Sequence, residues 1–408
     1  MAKARTPNQK KAYDGLAKRL VRYVAMVRTI YDTLNLEASK IALRTDFDSS
    51  GDKPFKFSDY PQTTKAIKDL QSSFVSRMGS LIMTSTSEEW QRSNEFCDLL
   101  ANKVLKAYGG KRKGRYYQVN NDALQAFQRR RDSGMNLSQK LWNQAEDYKR
   151  GLEHTLSVAI EKGMSAVTLS KRVSKYLEDF PSMKKDYGER FGRATDIHDC
   201  EYRSIRLARS EINMAYRSAE QMRWEQMDFI IGYEVKLSGN HNCKGVPQGA
   251  FYDICDELKG RYPKDFKWLG WHPNCRCYIV PIIKSEERFW EDEDKRGDDN
   301  EEITELPDNF KQWVTLNKDR IARAESRGTQ PYFVRDNRER IKRAIKQGEV
   351  MSLVEQYKSI KPKTIDNPLS QTMAVDVTGG AATGVAEGFT ALVNAYYKAE
   401  ANKQKVAI

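Results

Sequence analysis

Apolar positions in this chain recur mostly at helical spacing. Leu16, Leu20, Tyr23 and Val27 step by three or four and predict one buried face of an N-terminal helix. Residues 45–64, which carry Asp, Ser, Gly and two prolines, read as a long loop behind it. From Leu137 the period sharpens. Leu137, Leu141, Ala145, Tyr148, Leu152, Leu156 and Ile160 mark one long amphipathic helix ended by Gly163. Ser165 then stands at an N-cap, and Leu169, Val173 and Leu177 predict a second helix stopped before Pro181, which makes a helical hairpin. A third helix is predicted from about Arg203 to Met227, with Ile205, Ala208, Ile212, Ala215, Ala219 and Met222 on its buried stripe. The period then drops to two, with Ile231, Tyr233, Val235 and Leu237 on one side of a half-buried strand, and a second short strand is expected over Tyr278 to Ile283.

These patterns predict a mainly α protein: a helical N-terminal region, a small central α+β module with a cysteine- and histidine-rich loop between two strands, and a helical C-terminal extension. The boundaries expected are 1–130 for the N-terminal region, 131–195 for the hairpin and 196–285 for the α+β module. An acidic linker is expected at 286–308, because 291–302 is rich in acids and holds no apolar residue to join a core. A basic helical region follows at 309–408. Its Gly- and Ala-rich tail, Thr378 to Tyr397, reads either as a loosely ordered end or as a helix packing closely on a neighbour.

Composition narrows the function classes. No apolar run is long enough to span a bilayer, and residues 1–12 are basic without the apolar core of a secretory signal, so the protein is expected to stay in the cytoplasm where it is made. The formal charge of +13 favours a polyanionic partner, nucleic acid before membrane, over a lysine-rich surface that is merely solvated. Lys111, Arg112, Lys113 and Arg115 lie between Gly109-Gly110 and Tyr116-Tyr117, so a hinge there would present four cations beside two rings. Arg335, Arg338, Arg340 and Arg343 give a second basic stretch. Each can follow a phosphate backbone or simply coat an exposed surface.

Six cysteines are too few for a disulfide scaffold, and four of them crowd between Cys243 and Cys277 together with His241 and His272. Zinc takes four such ligands in a tetrahedron. The preferred set is Cys243, Cys255, His272 and Cys277, drawn from three separated points of a long loop that needs pinning. His241 can replace His272, Cys275 can replace Cys277, and the competing reading is a group of free buried thiols. No catalytic residue is assigned. Arg209, Ser210 and Glu211 share one helical turn, which suits helix contacts better than an ADP-ribosyltransferase site. A cysteine protease pairing Cys275 or Cys277 with a histidine fits four clustered thiols less well than a metal does, and His154 and His198 read as structural.

Three blocks, in order, carry a likeness. The first is the hairpin from Leu137-Ser-Gln-Lys-Leu-Trp142 through Gly163 to Leu177. The second is Arg206-Leu-Ala-Arg-Ser-Glu-Ile-Asn-Met-Ala-Tyr-Arg217, and the third is His272-Pro-Asn-Cys-Arg-Cys277 running into an apolar strand. Together they span about 150 residues and resemble the phage Mu F-like minor head (head morphogenesis) family, with Ser210 in the threonine position of the family's Ala-Arg-Thr-Glu block. The resemblance implies a non-enzymatic structural protein of a tailed bacteriophage, in few copies inside the capsid at the portal vertex. It would serve head assembly and DNA packaging or ejection, with the portal protein, other head proteins and packaged double-stranded DNA as partners. The basic stretches would then face DNA or an acidic portal surface. Alternatives are a phage-delivered enzyme of ADP-ribosyltransferase type and a zinc-dependent nucleic-acid-binding protein outside the virion.

Overall fold

A computed structural model describes residues 6–44, 54–161, 200–238, 253–294 and 303–359. The second hairpin helix, His198, His241, Cys243, most of the acidic run and the Gly/Ala-rich tail lie outside them. Met1–Glu349 forms one compact unit and Val350–Ile408 another, of which the described part is helical as far as Ser359. The expected segments from the N-terminal region to the basic region thus fold within one unit. The architecture is the predicted one, mainly helical around a small central sheet. Among the described residues no helix is long and apolar enough to cross a membrane.

Helix α1 (Gln9–Arg44) extends the predicted stripe beyond Val27, burying Tyr31, Leu34, Ala38 and Ala42 at the same spacing. Residues 54–60 differ from the expected loop. Phe55 and Phe57 are buried, and Phe57–Asp59 forms a 3-10 turn that leads into α2 (Pro61–Tyr108), with Pro61 in its first turn. Gly109, at φ +70, ends α2 in the left-handed conformation that glycine adopts without strain. A short α3 (Asn121–Arg129) is capped by the Asn120 side chain.

Helix α4 (Leu137–Glu161) buries Leu141, Ala145, Tyr148, Leu152 and Leu156, as its period predicts. Helix α5 (Cys200–Glu225) is buried along most of its length, and it packs against α1, α2 and α4. Buried polar groups are matched there. Glu89 takes two hydrogen bonds from the Arg19 guanidinium, at 2.6 and 2.7 Å, and Arg223 bonds the side chains of Asn94, at 3.0 Å, and Asp98.

The sheet is antiparallel with strand order β2-β1-β3, and it is made of β1 (Ile230–Lys236), β2 (Gly260–Pro263) and β3 (Tyr278–Ile283). Between β1 and β2 comes the one-turn helix α6 (Ile254–Leu258). Beyond β3 lie α7 (Glu286–Asp294), α8 (Asp308–Leu316), α9 (Lys318–Ser326), α10 (Tyr332–Arg335) and α11 (Arg338–Ser359). Helix α7 corrects the expected linker at 286–308. Phe289 interrupts the acids, and its ring is buried against Tyr108 (centroids 5.4 Å apart) and Phe229.

The loop between β1 and β3 needs less pinning than its length suggested. Tyr262, Phe266, Trp268 and Trp271 are buried in one cluster with Phe310 and Phe333 from the helices that follow. Trp271 meets Phe333 edge-on at 5.1 Å, and Tyr262 meets Phe310 edge-on at 5.7 Å.

Candidate metal centre

Cys255 sits in the first turn of α6, where the local sequence dictates its place. Asp253 is the N-cap: its Oδ1 accepts from the Cys255 amide at 2.7 Å, while Asp256 reaches back to the Asp253 amide at 3.1 Å. The second group of donors comes from a tight turn. The Cys275 amide donates to the His272 carbonyl at 3.1 Å, and Asn274 between them holds φ +66, a conformation that asparagine tolerates better than most residues.

These two elements bring together Cys255, His272 and Cys275, whose ligand atoms all lie within 4.8 Å of one another. Cys255 Sγ is 3.2 Å from His272 Nε2 and 3.8 Å from Cys275 Sγ. A tetrahedral zinc with bonds of about 2.3 Å to sulfur sets two ligand sulfurs about 3.8 Å apart, so the donor set fits such an ion. His272 Nδ1 lies 2.8 Å from the Pro273 carbonyl, which favours the proton on Nδ1 and leaves the Nε2 lone pair for a metal. Asp253 Oδ2 is 3.5 Å from the same Nε2.

Ionisation within the cluster is divided unequally. Burial alone would raise the Cys275 thiol, but hydrogen bonds from Cys255 and Cys277 and the Arg217 charge outweigh it and hold Cys275 well below its ordinary value. Cys255 is raised, first through its hydrogen bonds to Cys275 and Cys277 and then by burial. Cys277 interacts with both other thiols. Its bond with Cys255 lowers it, whereas the bond with Cys275 and burial outweigh that and leave it raised.

Cys275, held in reserve on sequence grounds, is therefore part of the gathered group, and Cys277 adjoins it. Of the preferred ligands, Cys243 lies outside the described residues, as does the substitute His241. Two neighbours escaped the sequence reading, Asp253 and Arg217. Arg217, on α5, is 2 % exposed, stacks its guanidinium over Trp268 at 4.6 Å, and donates to the carbonyls of Leu269 (2.7 Å), Cys275 (2.7 Å) and Cys277 (2.8 Å). Gly270, at φ +117, makes room for it, since a Cβ there would come within 2.5 Å of the guanidinium. The only advance signal of Arg217 was its position at the end of the Arg206–Arg217 block.

The basic stretches lie elsewhere, and most of their cations are engaged. Tyr116 is buried and its segment forms a 3-10 turn, not a flexible hinge. Lys113 (3.1 Å) and Arg115 both pair with Asp228, which also accepts from the Tyr116 hydroxyl, and Arg112 lies 4.0 Å over the Tyr117 ring. Lys111 is exposed. In the second stretch Arg335 bonds Asp132 (3.0 Å) and Asp336 (2.7 Å), Arg338 pairs with Glu325, Arg340 clamps Asp265 at 2.5 Å, and Arg343 lies near Glu305. Each partner acid draws these cations onto the protein's own surface.

Arg209, Ser210 and Glu211 diverge in their contacts. Ser210 Oγ donates to the Arg206 carbonyl at 2.7 Å and accepts from the Asn274 amide at 3.3 Å. Glu211 bonds Arg130 at 2.7 Å and lies 3.7 Å from Lys140 on α4. No protein-family model matches the chain, and neither a curated protein nor a solved structure matches it.

Proposed function

We propose that this chain is a structural minor head protein of a tailed bacteriophage, resident inside the capsid near the portal and serving head assembly and DNA packaging or ejection. The reading starts from the likeness of its three sequence blocks to the Mu F-like family. The observation that carries it further is that these blocks meet in space. Lys140 of the first block reaches Glu211 of the second, and Ser210 and Arg217 of the second bind the backbone of the third at Asn274, Cys275 and Cys277. Blocks that merely resembled a family by chance would have no reason to interlock through the residues that carry the resemblance.

In this proposal the Cys255, His272 and Cys275 donors hold a structural zinc, with Cys277 or Cys243 completing the tetrahedron. The ion would tie α6 to the turn before β3 and fix the surface around it. Quantitative peptide mass spectrometry on purified virions of the phage encoding this chain tests the assignment. A few to a few tens of copies against the major capsid protein is the expected result, and loss of the chain on DNA ejection would make it a delivered protein. Absence from intact particles would overturn the virion assignment.

A further inference from the structure

Beside the metal centre a cleft opens between α1, α5 and the turn that carries Asn274 and Arg276, with a volume of about 130 Å³. Its two walls differ in chemistry. One is apolar, made by Leu16, Ala17, Leu20 and Val21 of α1, and Val21 is 63 % exposed. The other carries Arg209, Arg217 and Arg276, with Lys10 at the α1 end. The one acid in the lining is Asp14, already 3.6 Å from Lys10, so positive charge prevails.

Two features indicate that this charge lacks a counterpart within the chain. Arg209 is half-buried and makes no hydrogen bond or ion pair among the described residues. Burial and the like charges of Arg276 and Arg28 lower its pKa, the environment of a cation placed among cations. Two buried polar atoms of the lining also have no hydrogen-bond partner: Nε of the almost wholly buried Arg217 and Oδ1 of Asn274. Buried polar atoms are ordinarily satisfied, and orphans gathered at one cleft mark a place where a ligand's groups belong.

We propose that this cleft binds an acidic peptide segment of a partner protein, with a carboxylate on Arg209 and Arg276 and a neighbouring apolar side chain against Leu16, Leu20 and Val21. Three observations choose a peptide over nucleic acid. The volume is well below the roughly 300 Å³ at which drug-sized sites begin, so it admits a side chain rather than a nucleoside. The apolar wall has nothing to meet on a phosphodiester backbone. Asn274 Oδ1 is an acceptor, which a peptide N–H can satisfy and a phosphate cannot. Guanidinium forks match carboxylates in two-point geometry, which makes Arg209 the specificity-determining contact. The site is independent of the head assignment, because it concerns the isolated chain.

Fluorescence anisotropy on the full-length protein tests it, with two labelled probes: a peptide in which Glu alternates with Leu, and a short duplex DNA. Saturable peptide binding is expected, weakened about ten-fold or more by Arg209→Gln, partly restored by Arg209→Lys, and unchanged by Arg320→Gln, which removes the same charge from an exposed position on α9. Because Arg209 bonds nothing in the fold, its variants should keep the wild-type melting temperature. Equal losses in the Arg209→Gln and Arg320→Gln variants would reduce the effect to net charge and overturn the site. So would absent peptide binding, or Arg209-dependent binding of the DNA alone.

Discussion

A guanidinium shut away from water must find acceptors inside the protein, and Arg217 finds three carbonyls that belong to the metal-bearing turn. Replacing it with Met leaves those carbonyls unpaired, at a cost on the order of 3 kcal/mol, to be read from urea unfolding. A change under about 0.5 kcal/mol would show that the turn holds itself. Gly270→Ala attacks the same contact from the other side, through a φ of +117 and a clash with Arg217, and should lower the melting temperature. Glu220 gives a pH-dependent handle. Burial pushes its carboxyl up to about 8 against the opposing hydrogen bonds from Tyr13 and Gln9 and the Arg217 charge, with Tyr216 and Cys97 also facing it. Its folded pKa lies above the unfolded value of 4.5, so the native state keeps a proton the unfolded chain has lost. That contribution is complete below the unfolded pKa and is lost as pH rises through the folded one. Stability should fall between about pH 5 and 8, and Glu220→Gln should flatten the fall; parallel curves for the two proteins would contradict this.

At the scale of elements, legibility followed period and length. Helices α4 and α5 and strands β1 and β3 repeat their pattern often enough to be read directly. Helix α6 and strand β2 have five and four residues, too few for any period to register. Helix α7 was masked by its acids, although Phe289 within it is buried. Phe289→Ala should therefore cost about 3 kcal/mol in urea unfolding, whereas a true linker would tolerate it within about 0.5 kcal/mol. The basic stretches show a different blindness. A run of cations is visible in sequence, but its neutralising acid is not: Asp228 stands 113 positions from Arg115, and Asp132 stands 203 from Arg335. The cysteine cluster falls between these cases. The donor types and their crowding were readable, while the choice of Cys275 depended on a left-handed Asn274 that no spacing rule reveals.

For the whole molecule, the proposal joins a helical body, a small sheet and a cysteine-histidine clamp through the residues that carry the family likeness. Aromatic packing under the loop predicts that metal loss loosens this region without unfolding the protein. Chelation should then lower the melting temperature by several degrees and leave the far-ultraviolet helical signal in place. The most direct test is native mass spectrometry of the purified full-length chain. The account predicts one bound zinc per chain, lost in both Cys255→Ser and Cys275→Ser. A metal-free wild-type protein that gains neither zinc nor thermal stability when the ion is added would contradict it.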